Sequence, residues 1–163
     1  KAVVYVSQED FLFTASVREN LKMGNEEISD EEMIEISRKM GVHQFVSKME
    51  RAYDSVLEER GKNLSKGQRQ KLSLTRAILR HPKILILDEA TSNMDSISER
   101  EILNYIKGIR DITLILISHR INVIADSDCI YVLQKGNIVA RGTDKQLKEQ
   151  CKLYRQLYGE EEK

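Results

Sequence analysis

The sequence has no tryptophan, a single proline (Pro82) and two cysteines, Cys129 and Cys151, in 163 residues. With one proline there are few hard breaks between regular elements. The two cysteines have no metal-ligand spacing; the pattern predicts one on a strand and one on a helix, and reduced, inert thiols in a cytosolic setting are the default. Charge of one sign is missing too. Lys plus Arg and Asp plus Glu both number 26, so the formal net charge is zero and there is no long-range attraction for nucleic acid or an acidic membrane surface, which leaves only a local basic patch open. No apolar run approaches the roughly 20 residues that cross a bilayer, and the first residues show no signal-peptide pattern. Internal repeats and low-complexity linkers are absent, and only the charged tail from Gly159 to Lys163 reads as disordered. What remains is a chain long enough for one soluble domain with a real core.

The stretch that organises the chain is Ile84-Leu85-Ile86-Leu87, which runs straight into Asp88-Glu89 and then Ala90-Thr91-Ser92-Asn93-Met94-Asp95. A short unbroken apolar run has the length and β-branched content of a strand buried on both faces, as in a parallel sheet. Successive strand side chains point to opposite sides, so Asp88 and Glu89 address different targets at the carboxyl end of the strand, where ligands of open α/β sheets collect. One acid could hold magnesium through water while its neighbour orients an attacking water. Two acids that merely open a loop would look the same, and the pair alone does not choose.

The flanking segments alternate helix and strand. Ala2 to Val6 reads as a strand that delivers Ser7-Gln8 to its end. A loop with Phe11, Leu12 and Phe13 follows; these either fold back on the core, their expected place, or form a docking surface. Ser16 with Glu19 and Ser29 with Glu32 have capping-box spacing. Met33, Ile34, Ser37 and Met40 then share a helical face that Gly41 stops, and a short helix is expected from about His43 to Met49. After a charged loop, Leu57 to Asn63, Ser65 and Gln68 repeat the capping pattern and open a helix that reaches about Arg80, before Pro82. Its N-terminus, with a small serine beside Gly67, can present backbone N–H groups to an anion, although an ordinary cap has the same signature. Ser96 and Glu99 open a helix with Ile97, Ile102, Leu103, Ile106 and Ile109 facing the core. Ile112 to Ile117 reads as a second buried strand ending at Ser118-His119, where a lone histidine is more often a satisfied structural residue than a catalytic one. A short helix near Ile121 to Ala125, a hairpin turning at Lys135-Gly136-Asn137, and a helix from Thr143 to about Tyr158 complete the chain. This order implies right-handed crossovers and a mainly parallel sheet, an α/β fold.

Together these stretches resemble the nucleotide-binding domain of ABC transporters, in particular the exporter-like group, from Tyr5 to about Leu147. Gln8 with Phe11 to Leu21 is similar to the Q-loop and its trailing segment, and Leu64 to Gln68 to the ABC signature. Ile84 to Glu89 resembles the Walker B strand, Ser92 to Asp95 the D-loop, and His119 the switch histidine. Glu59-Arg60-Gly61 resembles the exporter segment that touches the transmembrane coupling helices.

The resemblance implies a P-loop NTPase (RecA-like) parallel-sheet core with an inserted α-helical subdomain. Residues 1–8 would be the Q-loop strand, 9–80 the helical subdomain and signature helix, 81–142 the core, and 143–163 a C-terminal helix and tail. It implies ATP and Mg2+ as cofactors, with Asp88 and Gln8 at the metal, Glu89 polarising the attacking water and His119 on the γ-phosphate. Gln8, Ser65, Lys66, Gly67, Gln68 and Asp95 would contact nucleotide, those of the signature serving the ATP of a second such domain in a head-to-tail dimer. A transmembrane domain, in the same or another chain, would be the other partner, nucleic acid would not be one, and the place of work would be the cytoplasmic face of a membrane.

Two departures stand out. Lys66 replaces the first glycine of the signature, and no G-x-x-x-x-G-K-S/T run or upstream adenine-stacking aromatic occurs. The expectation is a C-terminal part of a longer protein, inactive alone, in which the missing phosphate-loop strand leaves edges on Ile112 to Ile117 and Ile130 to Leu133, so that the isolated piece is unstable or self-associating. A non-hydrolysing module that lends only its signature face, and a soluble ABC ATPase without a transport role, are the alternatives.

Overall fold

The computed structural model describes residues 2–8 and 11–161, with side chains as far as residue 158. The chain divides between Ile115 and Leu116 into two compact units. The first contains β1 (Val3–Val6), α1 (Val17–Lys22), α2 (Asp30–Lys39), α3 (His43–Val46), tight turns at Ala52–Asp54 and Glu59–Gly61, α4 (Lys66–Ile78), β2 (Ile84–Asp88) and α5 (Ser96–Lys107). The boundary falls within β3 (Thr113–Ile117).

β1 and β2 are parallel, with Val3 opposite Ile84 and Val6 opposite Leu87. β3 lies on the other side of β2, and its first bond runs from the Thr113 N–H to the Lys83 carbonyl, 2.8 Å. α4 packs on β1. Alternation along the strands buries Val4, Val6, Leu85 and Leu87, while Val3 and Tyr5 are exposed and Ile84 and Ile86 are half-buried. The expected burial of Ile84 to Leu87 on both faces is therefore met on one face only. β3, expected to be buried, leaves Ile115 and Ile117 44% and 48% exposed. It is the outer strand of its three-stranded sheet, and β4 (Ile130–Gln134) pairs only with β5 (Asn137–Gly142), so both expected edges are present among the described residues.

The helical section is set by its caps. α1 and α4 carry reciprocal capping boxes, Ser16 with Glu19 and Ser65 with Gln68. Ser29 caps α2 in one direction only, accepting from the Glu32 N–H. The buried face of α2 includes Ile36 beside Met33, Ser37 and Met40, with Ile34 left half-buried. α3 stops at Val46, short of Met49. Arg18 bridges Asp54 at 2.9 Å and also pairs with Asp30, which Lys22 contacts at 2.7 Å, so charges clamp α1 to the start of α2 and to the turn at Asp54. Leu12 enters the core, but Phe11 and Phe13 stay exposed, edge to face at 4.7 Å. Buried Asn20 holds their loop: its Oδ1 accepts from the Phe13 N–H at 2.9 Å and its Nδ2 donates to the Phe13 carbonyl at 3.0 Å. The cap of α5 is Asp95 rather than Ser96. Ile102, Leu103 and Ile106 are buried as expected, but Ile97 faces outward, 64% exposed, Glu99 is buried in its place, and half-buried Ile109 lies beyond the helix end.

The second unit holds α6 (Ile121–Ile124), the β4–β5 hairpin, α7 (Asp144–Gln150) and α8 (Lys152–Glu161) around Ile121, Ile130, Val132, Leu147 and Tyr154. Lys135 and Gly136 turn the hairpin with φ of 50° and 79°, the left-handed pair that a tight two-residue turn demands. The single expected final helix is two helices, broken at Cys151, whose backbone is extended. Asp144 accepts from Tyr154 at 2.9 Å and Tyr158 at 2.6 Å, which ties α7 to α8. Cys129 precedes β4 and Cys151 sits in the helix break, so neither lies within a strand or helix as expected; both are free thiols. α8 extends to Glu161, into the stretch expected to be disordered, and Glu162 and Lys163 lie outside the described residues.

Candidate functional site

The carboxyl end of β2 is the centre of the site. Asp88 is the last strand residue and half-buried. Glu89 then adopts φ 51°, a left-handed conformation that costs a side-chain-bearing residue about 1–2 kcal/mol. It reverses the chain: the Ser92 N–H bonds the Glu89 carbonyl at 3.2 Å and the Met94 N–H the Thr91 carbonyl at 3.1 Å. Strain of this kind collects where geometry is over-determined by its surroundings. Gln8 is exposed, two residues beyond Val6, which itself pairs with Leu87, so Gln8 and Asp88 both lie at the carboxyl ends of neighbouring parallel strands.

A second group forms at the N-terminus of α4. The Ser65 Oγ accepts from the Gln68 N–H at 3.2 Å, and the Gln68 Oε1 accepts from the Ser65 N–H at 2.9 Å. Those side chains are thus committed to the cap, and the N–H groups of Lys66 and Gly67 are the ones outside the helix ladder. Lys66 is exposed and Gly67 half-buried. The glycine suits a close approach: a Cβ there would lie 3.0 Å from the Asn93 carbonyl oxygen, a contact that the neighbouring backbone would have to relieve by shifting. The same residue is held from the other side, where the Asn93 N–H donates to the Oε1 of fully buried Gln70 at 3.0 Å. Lys71 Nζ adds a bond to Ser98 Oγ at 2.9 Å. The structure therefore brings Ser65 to Gln68 against the turn from Glu89 to Asp95. Asp95 itself is exposed and caps α5, accepting from the Ser98 N–H at 2.9 Å, and this bond holds its carboxyl below the ordinary value. His119 belongs to the second unit, two residues past β3 and exposed, with the neighbouring Ser118 Oγ accepting from the Arg120 N–H at 3.0 Å.

Sequence reasoning missed Tyr5 and Gln70. The Tyr5 hydroxyl donates to Asp88 Oδ2 at 2.7 Å, and that bond raises the phenol above its ordinary value. A polar tip on an alternate position of an otherwise apolar strand was the available signal. Gln70 looked like one more polar helix residue; only the frame set by the Ser65 cap places it inward.

No group of three or more His, Cys, Asp or Glu side chains that could cage a metal occurs among the described residues. A lone strand-end carboxylate fits magnesium, which keeps most of its waters and takes one or two protein carboxylates together with phosphate oxygens.

A parallel-strand core, an inserted helical section and acids at the carboxyl end of a central strand define the P-loop NTPase architecture. The model of the ABC transporter family matches residues 1–92, and the chain belongs to that family. It is 42% identical over 151 residues to the heterocyst differentiation ATP-binding protein HepA of Nostoc, covering 92% of this chain and 25% of that protein. It is 41% identical over 165 residues to the leptomycin B resistance protein of Schizosaccharomyces pombe, covering 99% and 12% respectively. Among solved structures, a bacterial Atm1-family ABC exporter with ATP bound matches 98% of this chain and 28% of its own length, at a TM-score of 0.93 and 30% identity. The chain thus spans 25% and 12% of the length of these two curated relatives.

Proposed function

We propose that these residues are part of the ATP-binding and hydrolysing portion of an ABC exporter, which couples nucleotide-driven dimer closure and hydrolysis to substrate movement across a membrane. Asp88 and Gln8 hold magnesium, Asp88 through water; Glu89 polarises the attacking water; His119 contacts the γ-phosphate. Ser65, Lys66, Gly67, Gln68 and Asp95 face the ATP bound by a second such domain arranged head to tail. A transmembrane domain, fused or separate, completes the machine at the cytoplasmic face of the membrane. No helix among the described residues is long and apolar enough to cross a membrane, so any spanning segments of the machine lie outside them.

The observation that carries this reading is the Asp88-Glu89 pair at the carboxyl end of β2, with Glu89 held in a left-handed turn whose far side is locked to the N-terminus of α4. The test is Glu89→Gln in the full-length protein. The substitution keeps size and backbone while removing the charge, and ATP turnover is expected to fall at least about 100-fold, the usual weight of a general base. Unchanged turnover would remove Glu89 from the chemistry.

The absence of a phosphate-loop motif in these residues favours one second reading, a module that contributes only its α4 face to a complete partner. Under either reading the isolated chain does not hydrolyse ATP. Glu89→Gln in the full-length protein separates them: turnover falls under the first reading and is unchanged under the second, because a module of this kind supplies only its α4 face and no water-polarising carboxylate.

A further inference from the structure

We infer that Tyr5 is a positioning residue for the metal site, orienting the Asp88 carboxylate so that Oδ1 is the oxygen turned to the shell of the magnesium ion. This rests on the reading of Asp88 as the magnesium ligand and names a part of that site which no motif contains. Tyr5 is opposite Ile86 in the parallel register, so Asp88 lies diagonally ahead of it on the adjacent strand. A diagonal neighbour is within reach of a long aromatic side chain, and the hydroxyl meets Oδ2 at 2.7 Å.

The chemistry of the donor makes the contact directional. A phenol has one O–H to give, so it engages one oxygen of the carboxylate and fixes the plane of the group without neutralising it. A lysine or arginine in the same place would supply a full positive charge and compete with the cation. An aliphatic residue, which the rest of the strand would accept, would leave the carboxylate free to rotate. Ligands of a metal are commonly oriented by such outer hydrogen bonds, and losing one weakens the site without abolishing it. Asp88 is also short and terminates a strand, and among the described residues its side chain is held by the Tyr5 hydroxyl.

The experiment uses the full-length protein and a fluorescent ATP analogue, titrated once with saturating Mg2+ and once in EDTA. The ratio of the two affinities isolates the contribution of the metal. Tyr5→Phe keeps the ring and removes only the hydroxyl; it is expected to lower the ratio about tenfold, the lower end of what one hydrogen bond to a charged metal ligand contributes, while affinity in EDTA stays put. Asp88→Asn, run in parallel, is expected to lower the ratio further. If Asp88→Asn lowers it and Tyr5→Phe does not, the role of Tyr5 is refuted while the reading of Asp88 stands. If Tyr5→Phe weakens binding equally with and without metal, the residue is merely structural and the inference also fails. If Asp88→Asn leaves the ratio unchanged, the assignment of the metal ligand has failed, and the inference about Tyr5 goes with it.

Discussion

The open edge at β3 makes a quantitative prediction about these residues in isolation. β3 has β2 on one side and no strand on the other among the described residues, and Ile115 on it is 44% exposed. On the same sheet, Val3 and Tyr5 are 49% and 57% exposed. An outer strand with unpaired N–H and C=O groups is a template for a second chain, and the nearby apolar surface adds driving force. The isolated chain is therefore expected to self-associate. Ile115→Lys tests the mechanism. Burying a whole isoleucine side chain contributes about 1.5–3 kcal/mol; with somewhat under half of Ile115 still in water, its burial between copies contributes about 1 kcal/mol per copy. A symmetric pair uses the position twice, so the lysine should cost about 2 kcal/mol of association, or about 30-fold in Kd. Because the position is already part-exposed, the fold should tolerate the change, and circular dichroism checks that it does. Sedimentation velocity across a concentration series is the assay. A wild-type chain that stays monomeric with a cooperative melt would refute the argument, and so would an Ile115→Lys variant that associates as tightly as the parent.

Other consequences are local. Asn20→Ala should strip the Phe13 N–H of its acceptor; hydrogen exchange at the Phe13 amide should accelerate about tenfold, with the amides of α4 unaffected. Gln70→Met should free the Asn93 N–H in the same way, yet leave the melting temperature almost unchanged, because the Gln70 Nε2 is itself buried without a partner and its removal offsets the lost bond. Carboxyl groups supply a pH signature: Lys22 and Arg18 hold the Asp30 carboxyl below its ordinary value, and hydrogen bonds from Ser16 do the same for Glu19. A depressed folded value means that their stabilisation is complete above the unfolded values and lost as pH falls through the folded ones. Acid unfolding should thus develop below about pH 4, and Asp30→Asn should flatten that limb of the profile.

What could be read in advance was whatever is written within a few residues. The Ser65–Gln68 box, the Ser16–Glu19 box and the hairpin at Lys135-Gly136 depend on spacing alone, and they stand as read. The start of α5 shows where spacing misleads. Ser96 and Asp95 are both good caps, and Asp95 wins because its carboxylate reaches the Ser98 N–H while its backbone leaves the 89–95 turn in an extended conformation. The orientation of the helix is set by buried Ile102, Leu103 and Ile106; Ile97, five residues before Ile102, lies about 140° round the helix from it and points to solvent, whereas Glu99, three before, lies about 60° away and turns inward. Burial of whole strands was legible only as potential. Ile84 to Leu87 are apolar on both faces, but a sequence pattern records what a strand can bury, whereas the structure records what covers it; here cover exists on the Leu85 and Leu87 side. The contacts that join motifs were not legible at all. Gln70 with Asn93 is a pair 23 residues apart, and Tyr5 with Asp88 one 83 apart. The polar tip of Tyr5 on an apolar strand was visible, but neither pairing has a local signature, since each is created by strand register or helix docking. Both nonetheless act on residues that the sequence does single out, Asp88 directly and the turn after Glu89 through its backbone. The motif residues thus name the chemistry, and the residues between them, chosen by packing, set where that chemistry is held.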